Sequence, residues 1–523
     1  MGIPSYYRTL ITKIPHAIQR KVPNDTKTLV VDMNCMIYHV LREPKMTAIQ
    51  YPGELGRLGW ERKLQEEVCS YLTHIWRSSG SPGHVYVALD GVVPYAKIKQ
   101  QRFRRFKSAT LASSDSKDVS SGARGANPTW DTNSITPGTQ FMANMGSSLK
   151  EAGKKHGWVI SDTDEPGEGE HKVLQWLLRN TLKEGGIVVY GLDADLILLC
   201  LIAGDKLGNK YPIYLLREAM AFGKLVRLNE SQEVDLCFFQ ISTLKDSLQR
   251  GVEWSKEQFY DYIFGMSFCG NDFLPTGLSL RIRDEGHSIL MSGLQDLWKK
   301  KKHLVTIDSS DILRPNADGL KAFALWMSYQ EERLIISTIR KKMTARFGED
   351  DADNLPLKEQ AESPMVQVVN GDNVILRKDW HSTYCRLGLG EDTIEKRKTR
   401  VSDYWRGWCW ILDYYQGRRV DLEWVYPEGY PPTWSDLVRF FELPGHDDWL
   451  YREPLKAQEQ LALVLPMSSW SLLLKTPFRS LPAKMPQYWP QGFGFETFAK
   501  RFGWECEPMI PMLTPARLRY ETT

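Results

Sequence analysis

Three short apolar runs set the plan of the chain. Leu29-Val-Val-Asp32, Val85-Tyr-Val-Ala-Leu-Asp90 and Ile187-Val-Val-Tyr-Gly-Leu-Asp193 are rich in β-branched residues, and each closes on an aspartate ahead of a stretch with helical spacing. Continuous apolar runs of this length suit strands buried on both faces, so they predict parallel strands in an α/β sheet flanked by helices. Ligands of such sheets bind at the carboxyl ends of the strands, where all three aspartates fall. Residues 108–140 turn polar and rich in Ser, Gly and Thr, which predicts a long loop. From about 290 to 350 the spacing becomes helical, and residues 348–364 read as an exposed acidic linker. Tyr404–Trp434 then packs ten aromatics into thirty-one residues, and Gln458–Leu465 predicts another helix. The expected division is an α/β core over 1–290, a helical segment and linker over 291–364, and a helix-rich, aromatic-rich region over 365–523.

Composition adds few constraints. A chain of 523 residues exceeds what one hydrophobic core usually serves, and 42% hydrophobic with 25% charged residues is ordinary for a globular protein. The net charge of +3 means that affinity for a polyanion must come from local basic clusters. The run Leu196–Ala203 is too short to cross a bilayer, the N-terminal segment has no secretory apolar core, and Tyr6 stands where a myristoylation motif asks for Ser or Thr. An intracellular protein without membrane attachment is expected. Its eight cysteines show no Cys-x-x-Cys spacing, so free thiols are expected rather than disulfides or zinc ligands.

The candidate chemistry is acidic. Asp193 and Asp195 interrupt an apolar segment and would share a face if the strand ran on through Asp195. Glu168 and Glu170 have the same spacing in Pro166-Gly-Glu-Gly-Glu-His-Lys172, and Asp272 stands in Gly270-Asn-Asp-Phe-Leu-Pro275. Taken singly, an aspartate after a strand is often a helix N-cap, and paired glutamates often an acidic first turn. Together with Asp32 and Asp90, seven acids would crowd one crevice, and cations are needed to make that tolerable. With no His or Cys pattern, the oxygen-only set favours Mg²⁺ or Mn²⁺. Two such ions about 3.5–4 Å apart are suited to phosphodiester hydrolysis.

Directly after Asp90, the segment Tyr95–Lys107 places Lys97, Gln101, Arg104 and Arg105 at i, i+4, i+7 and i+8, one face of a helix. Such a face fits a terminal phosphate beside the acids, and fits a solvated basic helix equally well. The aromatic block is expected to be mostly core, with one or two rings open for base stacking.

In order along the chain, these segments resemble the XRN-type 5′→3′ exoribonucleases, whose nuclease core is related to the flap endonuclease and PIN-like fold. The resemblance rests on Met1-Gly-Ile-Pro-Ser-Tyr-Tyr-Arg8, Val31-Asp-Met-Asn34, Leu89–Pro94, Gln100–Phe106, Asn133–Thr139, Pro166–Lys172, Gly191–Asp195, Leu215-Leu-Arg-Glu218 and Gly270–Pro275. A looser second region takes in Tyr404–Leu437, Glu459–Pro466 and Lys500–Trp504. It implies that Asp32, Asp90, Glu168, Glu170, Asp193, Asp195 and Asp272 hold the metal ions, and that Lys97, Gln101, Arg104 and Arg105 bind a 5′-monophosphate. It also implies that Pro94 and Trp410 exclude duplex and stack on the entering nucleotide, with Tyr38 in place of the family's usual stacking histidine and His39 beside it. The implied activity is Mg²⁺-dependent, processive release of mononucleotides from single-stranded RNA by a compact, monomeric member. The cytoplasm is the expected compartment and the nucleus the alternative. A DNA flap nuclease of the same broad fold and a catalytically dead RNA-binding scaffold are the rival readings.

Overall fold

The computed structural model describes residues 2–522 apart from 4, 116–128, 222–223, 229–232, 346–355, 357–358, 361, 371–372, 446–448 and 475. Its centre is a seven-stranded sheet. The strands are β1 (Ile18–Gln19), β2 (Thr26–Asp32), β3 (His84–Ala88), β4 (Val159–Ser161), β5 (Gly186–Tyr190), β6 (Ile213–Glu218) and β7 (Leu236–Gln240). Their spatial order is β1-β7-β6-β5-β2-β3-β4. The five from β6 to β4 run parallel, whereas β7 and β1 add antiparallel strands at one edge.

The continuous apolar runs are explained by what lies on each side of the sheet. Val30, Ile187, Val189 and Leu215 enter one buried cluster, and their neighbours Leu29, Val31, Val188 and Leu216 enter another. Alternation within a strand therefore feeds two cores, one on each face, and leaves little room for polar residues in the middle of these strands. From β2 the chain moves outward through β3 and β4, then returns to lay β5 and β6 on the other side of β2. The crevice at the carboxyl ends of β2 and β5 is thus the switch point of the sheet.

Four helices position the candidate chemistry: α1 (Asn34–Leu41) after β2, α2 (Tyr95–Asp115) after β3, α3 (Gly169–Arg179) after β4 and α4 (Leu196–Lys206) after β5. Several details depart from the sequence-based expectation. Helix α2 runs to Asp115, well into the expected 108–140 loop, while 116–128 lie outside the described residues. A short antiparallel hairpin, Val305–Ile307 with Leu313–Pro315, interrupts the expected helical stretch. Most of the expected acidic linker lies outside the described residues. Its described end is folded, because Glu362 is buried and receives both of its 2.9 Å contacts from Lys342 Nζ.

The aromatic block lies mainly on α5 (Ile394–Tyr415), which is followed by α6 (Ala457–Val464). Trp405, Trp408 and Trp410 join the same buried cluster as Val189 and Leu215, so this helix completes the core on one face of the sheet. The C-terminal region also grips α2. Tyr95 donates its hydroxyl to the Leu513 carbonyl at 2.9 Å, and the buried Arg102 donates to the carbonyls of Leu463, at 2.7 Å, and Tyr488. The Arg102 guanidinium also lies 4.4 Å from the Phe106 ring centre. Arg102→Leu keeps the apolar contact but strands two carbonyls, at roughly 1–3 kcal/mol each. Urea unfolding is expected to show that loss, and limited proteolysis faster cutting after residue 450.

Candidate active site and metal centre

The sheet ends bring the acids together. Asp32 closes β2, Asp90 follows β3, and Asp193 follows β5, with Asp32 in register with Ala88 across the β2–β3 pair. Strand β5 stops at Tyr190, so Asp193 and Asp195 do not share a strand face as expected. The chain turns at Gly191, where a Cβ would lie 2.4 Å from Leu196 Cδ2, and Asp195 already has helical dihedrals at the mouth of α4. The turn still converges them: Glu170, Asp193 and Asp195 each offer a ligand atom within 4.8 Å of the others.

Neither Glu168 nor Asp195 caps its helix with its side chain. Instead the mouth of α3 is held by Asp90, whose Oδ1 accepts the Gly169 amide at 2.7 Å, a favourable place for a carboxylate against a helix N-terminus. Asn34 fixes the other side of Asp90, donating to Oδ2 at 2.9 Å and accepting the Asp90 amide at 3.2 Å. Glycine is required at 169 because a Cβ there would come within 2.4 Å of Asp32 Oδ1.

Lys97 is the internal counter-charge. Its Nζ lies 2.6 Å from both Glu168 and Asp272, and Gln100 adds a 2.9 Å hydrogen bond to Asp272. Burial works against the lysine's charge, but Asp272 and Glu168 outweigh it and raise its pKa well above the usual value. Burial likewise opposes ionisation of Asp272, yet Lys97 holds that carboxyl well below the usual range. Asp193 is also lowered, nearby positive charge including Lys97 overcoming its burial. Asp32 and Glu170 are pushed well up, first by burial and then by Asp90 and Asp195 respectively. Glu168 is raised by burial despite Lys97, and Asp195 reaches about 7 through burial and the nearby Asp272 and Asp193. Among the described residues one lysine in contact with the acids leaves the cluster short of positive charge.

That deficit fits divalent ions. Among the described residues Glu170 Oε2 and Asp195 Oδ1 are buried without a hydrogen-bond partner, and the available donors are carboxylate oxygens, the set suited to Mg²⁺ or Mn²⁺.

Asp32, Asp90, Glu168, Glu170 and Asp193 line a cleft of about 650 Å³ that is also lined by Tyr38, Lys97, Gln101, Arg104 and Arg105, whereas Asp195 and Asp272 do not line it and Asp272 faces a neighbouring pocket. Arg105 is buried and donates to Asn133 Oδ1 at 3.0 Å, and its Nε and Gln101 Oε1 have no hydrogen-bond partner among the described residues. Arg104 is exposed. Tyr38 and His39 both line the cleft, His39 being the more buried, with its ring centre 4.6 Å from that of Tyr71. Pro94 and Trp410 do not line it. Pro94 is buried at the start of α2, where its carbonyl accepts the Lys97 and Ile98 amides. Trp410 is 0% exposed, packed among Phe273, Tyr414 and Trp424, with its indole donating to the Asp421 carbonyl. The aromatic that reaches the acids is Tyr414, whose hydroxyl donates to Glu168 Oε1 at 2.9 Å while its ring stacks on His171 at 4.2 Å. Asn34, Gln100, Asn133 and Tyr414 were not among the sequence-derived site residues. The first three stand inside segments that carry the resemblance, but nothing in the spacing of the aromatic block singles out Tyr414.

The family model described as the XRN 5'-3' exonuclease N-terminus matches residues 1–219, and that described as the Xrn1 helical domain matches residues 371–523. The chain belongs to the XRN family. Among XRN relatives, the human 5'-3' exoribonuclease 1 is 24% identical over 595 residues, covering 99% of this chain and 34% of that protein. The Arabidopsis thaliana 5'-3' exoribonuclease 2 is 23% identical over 695 residues, covering 99% of this chain and 66% of that protein. The chain thus spans about one third to two thirds of the length of these XRN relatives. The first XRN match contains six of the seven acids and the basic face of α2, and the second contains Tyr414.

Charge in this XRN centre has a thermodynamic signature. Asp195 titrates near 7 in the folded protein against an ordinary 3.8, so between those values the native state holds a proton that the unfolded state has lost. Stability from this group therefore falls as pH rises from about 4 to about 7 and stays low above. In chelator, Asp195→Asn is expected to raise Tm at pH 7.5 by roughly 1–3 °C, with the gain disappearing near pH 4. Added Mn²⁺ is expected to reverse the order, stabilising the parent protein more than the variant.

Proposed function

We propose that this chain is a processive 5′→3′ exoribonuclease that hydrolyses single-stranded RNA carrying a 5′-monophosphate and releases mononucleotides. The observation that carries the reading is the continuity of two opposite surfaces in one cleft: a carboxylate cluster short of positive charge, and directly beside it a basic, hydrogen-bonding face on α2. A binding scaffold would gain nothing from buried acids facing an anionic polymer, since phosphate contacts are made by cations. The names of the XRN relatives point the same way.

In this reading Asp32, Asp90, Glu168, Glu170, Asp193, Asp195 and Asp272 hold two Mg²⁺ ions, with Mn²⁺ able to replace them. Bound there, such ions supply the charge that activates water and stabilises the leaving oxygen of a phosphodiester. Gln101, Arg104 and Arg105 grip the terminal phosphate, Lys97 balances Glu168 and Asp272, and Tyr414 fixes the Glu168 carboxylate. Tyr38 stacks on the first base. The C-terminal region over 365–523 walls the core over 1–290, with 291–364 between them. Among the described residues no helix is long and apolar enough to cross a membrane. We place the protein in the cytoplasm as a monomer, with the nucleus as the alternative.

The test is a time course in Mg²⁺ on body-labelled single-stranded RNA with 5′-monophosphate, triphosphate or hydroxyl ends. Mononucleotides are expected from the monophosphate RNA, with Asp193→Ala slower by roughly 10²–10³-fold or more. Arg105→Ala is expected to lose about 10–100-fold of the monophosphate preference, as removal of a charge-assisted contact does. Internal cuts at a flap would favour the structure-specific DNA nuclease, and RNA binding without turnover would favour the scaffold.

A further inference from the structure

One strand-end acid lies outside the carboxylate cluster. Along the sheet the carboxyl ends present Asp90 after β3, Asp32 on β2, Asp193 after β5 and then Glu218 on β6. Glu218 lines the same cleft, yet it is only 3% exposed. Its Oε1 accepts two phenol hydroxyls, from Tyr71 at 2.8 Å and Tyr190 at 2.6 Å. Its Oε2 has no partner among the described residues. Buried carboxylate oxygens are rarely left in that state, because an unmade hydrogen bond costs about as much as desolvating the group.

Arg217, the preceding residue, also lines the cleft. Its guanidinium lies 3.7 Å from the Tyr7 ring centre and its Nη2 donates to the Leu192 carbonyl at 2.8 Å, which fixes the side chain. Its Nη1 has no hydrogen-bond partner among the described residues. A fixed cation with a spare donor and a fixed carboxylate with a spare acceptor thus both line the cleft, beyond the acid cluster, from consecutive positions on β6 whose side chains leave opposite faces of the strand.

We infer that Arg217 and Glu218 form a nucleotide subsite for the strand downstream of the cut, Arg217 taking a phosphate and Glu218 accepting the ribose 2′-hydroxyl. The inference rests on the exonuclease reading for the direction of the strand, and it adds a basis for choosing RNA over DNA. Phosphate oxygens cannot satisfy Glu218, since both are anionic acceptors. A neutral hydroxyl donor can, and the 2′-hydroxyl is the group that separates RNA from DNA. The sheet gives the order. The basic face on α2 follows β3, the acids gather at β2 and β5, and Glu218 lies on β6, three strand spacings or roughly 14 Å from β3. A strand whose 5′ end sits on α2 and whose first linkage lies over the acids therefore brings its second or third nucleotide to β6.

The test measures binding by fluorescence anisotropy with Ca²⁺ in place of Mg²⁺. It uses short 5′-monophosphorylated RNAs that carry a single 2′-deoxy substitution at each of the first four nucleotides in turn. In the parent protein a deoxy substitution at the second or third nucleotide is expected to weaken binding by about tenfold, the loss of a hydrogen bond to a charged acceptor. Glu218→Gln is expected to flatten that profile while still binding RNA, and Arg217→Ala to weaken RNA and DNA alike with a shallower salt dependence. A parent protein with no deoxy penalty at those positions overturns the subsite, whatever the variants do. A Glu218→Gln protein that keeps the full penalty also overturns it, assigning Glu218 to holding Tyr71 and Tyr190. If the penalty is present but parallel assays in Mg²⁺ release no mononucleotides, the subsite stands and the exonuclease reading fails.

Discussion

Like charge gathered in a buried place is the constraint from which the arrangement follows. Seven carboxylates converge where a parallel sheet reverses its strand order, and among the described residues Lys97, touching Glu168 and Asp272, is the cation set directly among them. Burial pushes several of these carboxyls towards neutrality, Glu168 among them despite Lys97, while nearby positive charge keeps Asp272 and Asp193 ionised. The fold tolerates this only because the backbone is locked around it. Asp32 ends a strand whose neighbours are all buried, Asp90 is pinned by Asn34 and the Gly169 amide, and Glu168 is tied to Tyr414. The cluster is held ready for external cations by parts of the chain more than two hundred residues apart.

The C-terminal region belongs to this scheme structurally. Helix α5 supplies the tryptophans that complete one core of the sheet and the tyrosine that reaches Glu168. Gln460, just inside α6, accepts the Val93 amide at 2.9 Å, and Arg102 sends its charge outward from α2 into the Leu463 and Tyr488 carbonyls. Helix α2 is thus used on two sides: one face turns Gln101 and Arg105 to the cleft, and the other clamps the C-terminal region.

Much of this was legible in the sequence, because short buried strands announce themselves as unbroken apolar runs and their terminal aspartates stand out against them. The α/β class, the parallel core and all seven acids come from that pattern together with the motif order. What was not legible depends on contacts between distant segments. Asp193 and Asp195 look like one strand face, yet Gly191 lets the chain turn onto Leu196 before either is reached. Trp410 and Pro94 carry no local mark of the covering that buries them, and Tyr414 looks like any other ring in an aromatic helix. Glu218 is the instructive omission, since it closes an apolar run just as Asp32 does. It stands in the segment Leu215-Leu-Arg-Glu218 that carries the resemblance, but nothing in the sequence gives it a partner or a role.

The division of β2 between two cores has a consequence for how such a protein can change over time. Leu29 and Val31 face one side, Val30 faces the other, and Asp32 follows in the same register. Inserting or deleting one residue within this strand would turn each side chain to the opposite face and carry Asp32 away from Asp90 and Asp193 in the same stroke. Folding and chemistry would fail together, so no viable intermediate separates the two losses. Length variation is therefore confined to the connections beyond the strand ends, and the spacing from the apolar run to its aspartate behaves as a fixed unit of inheritance.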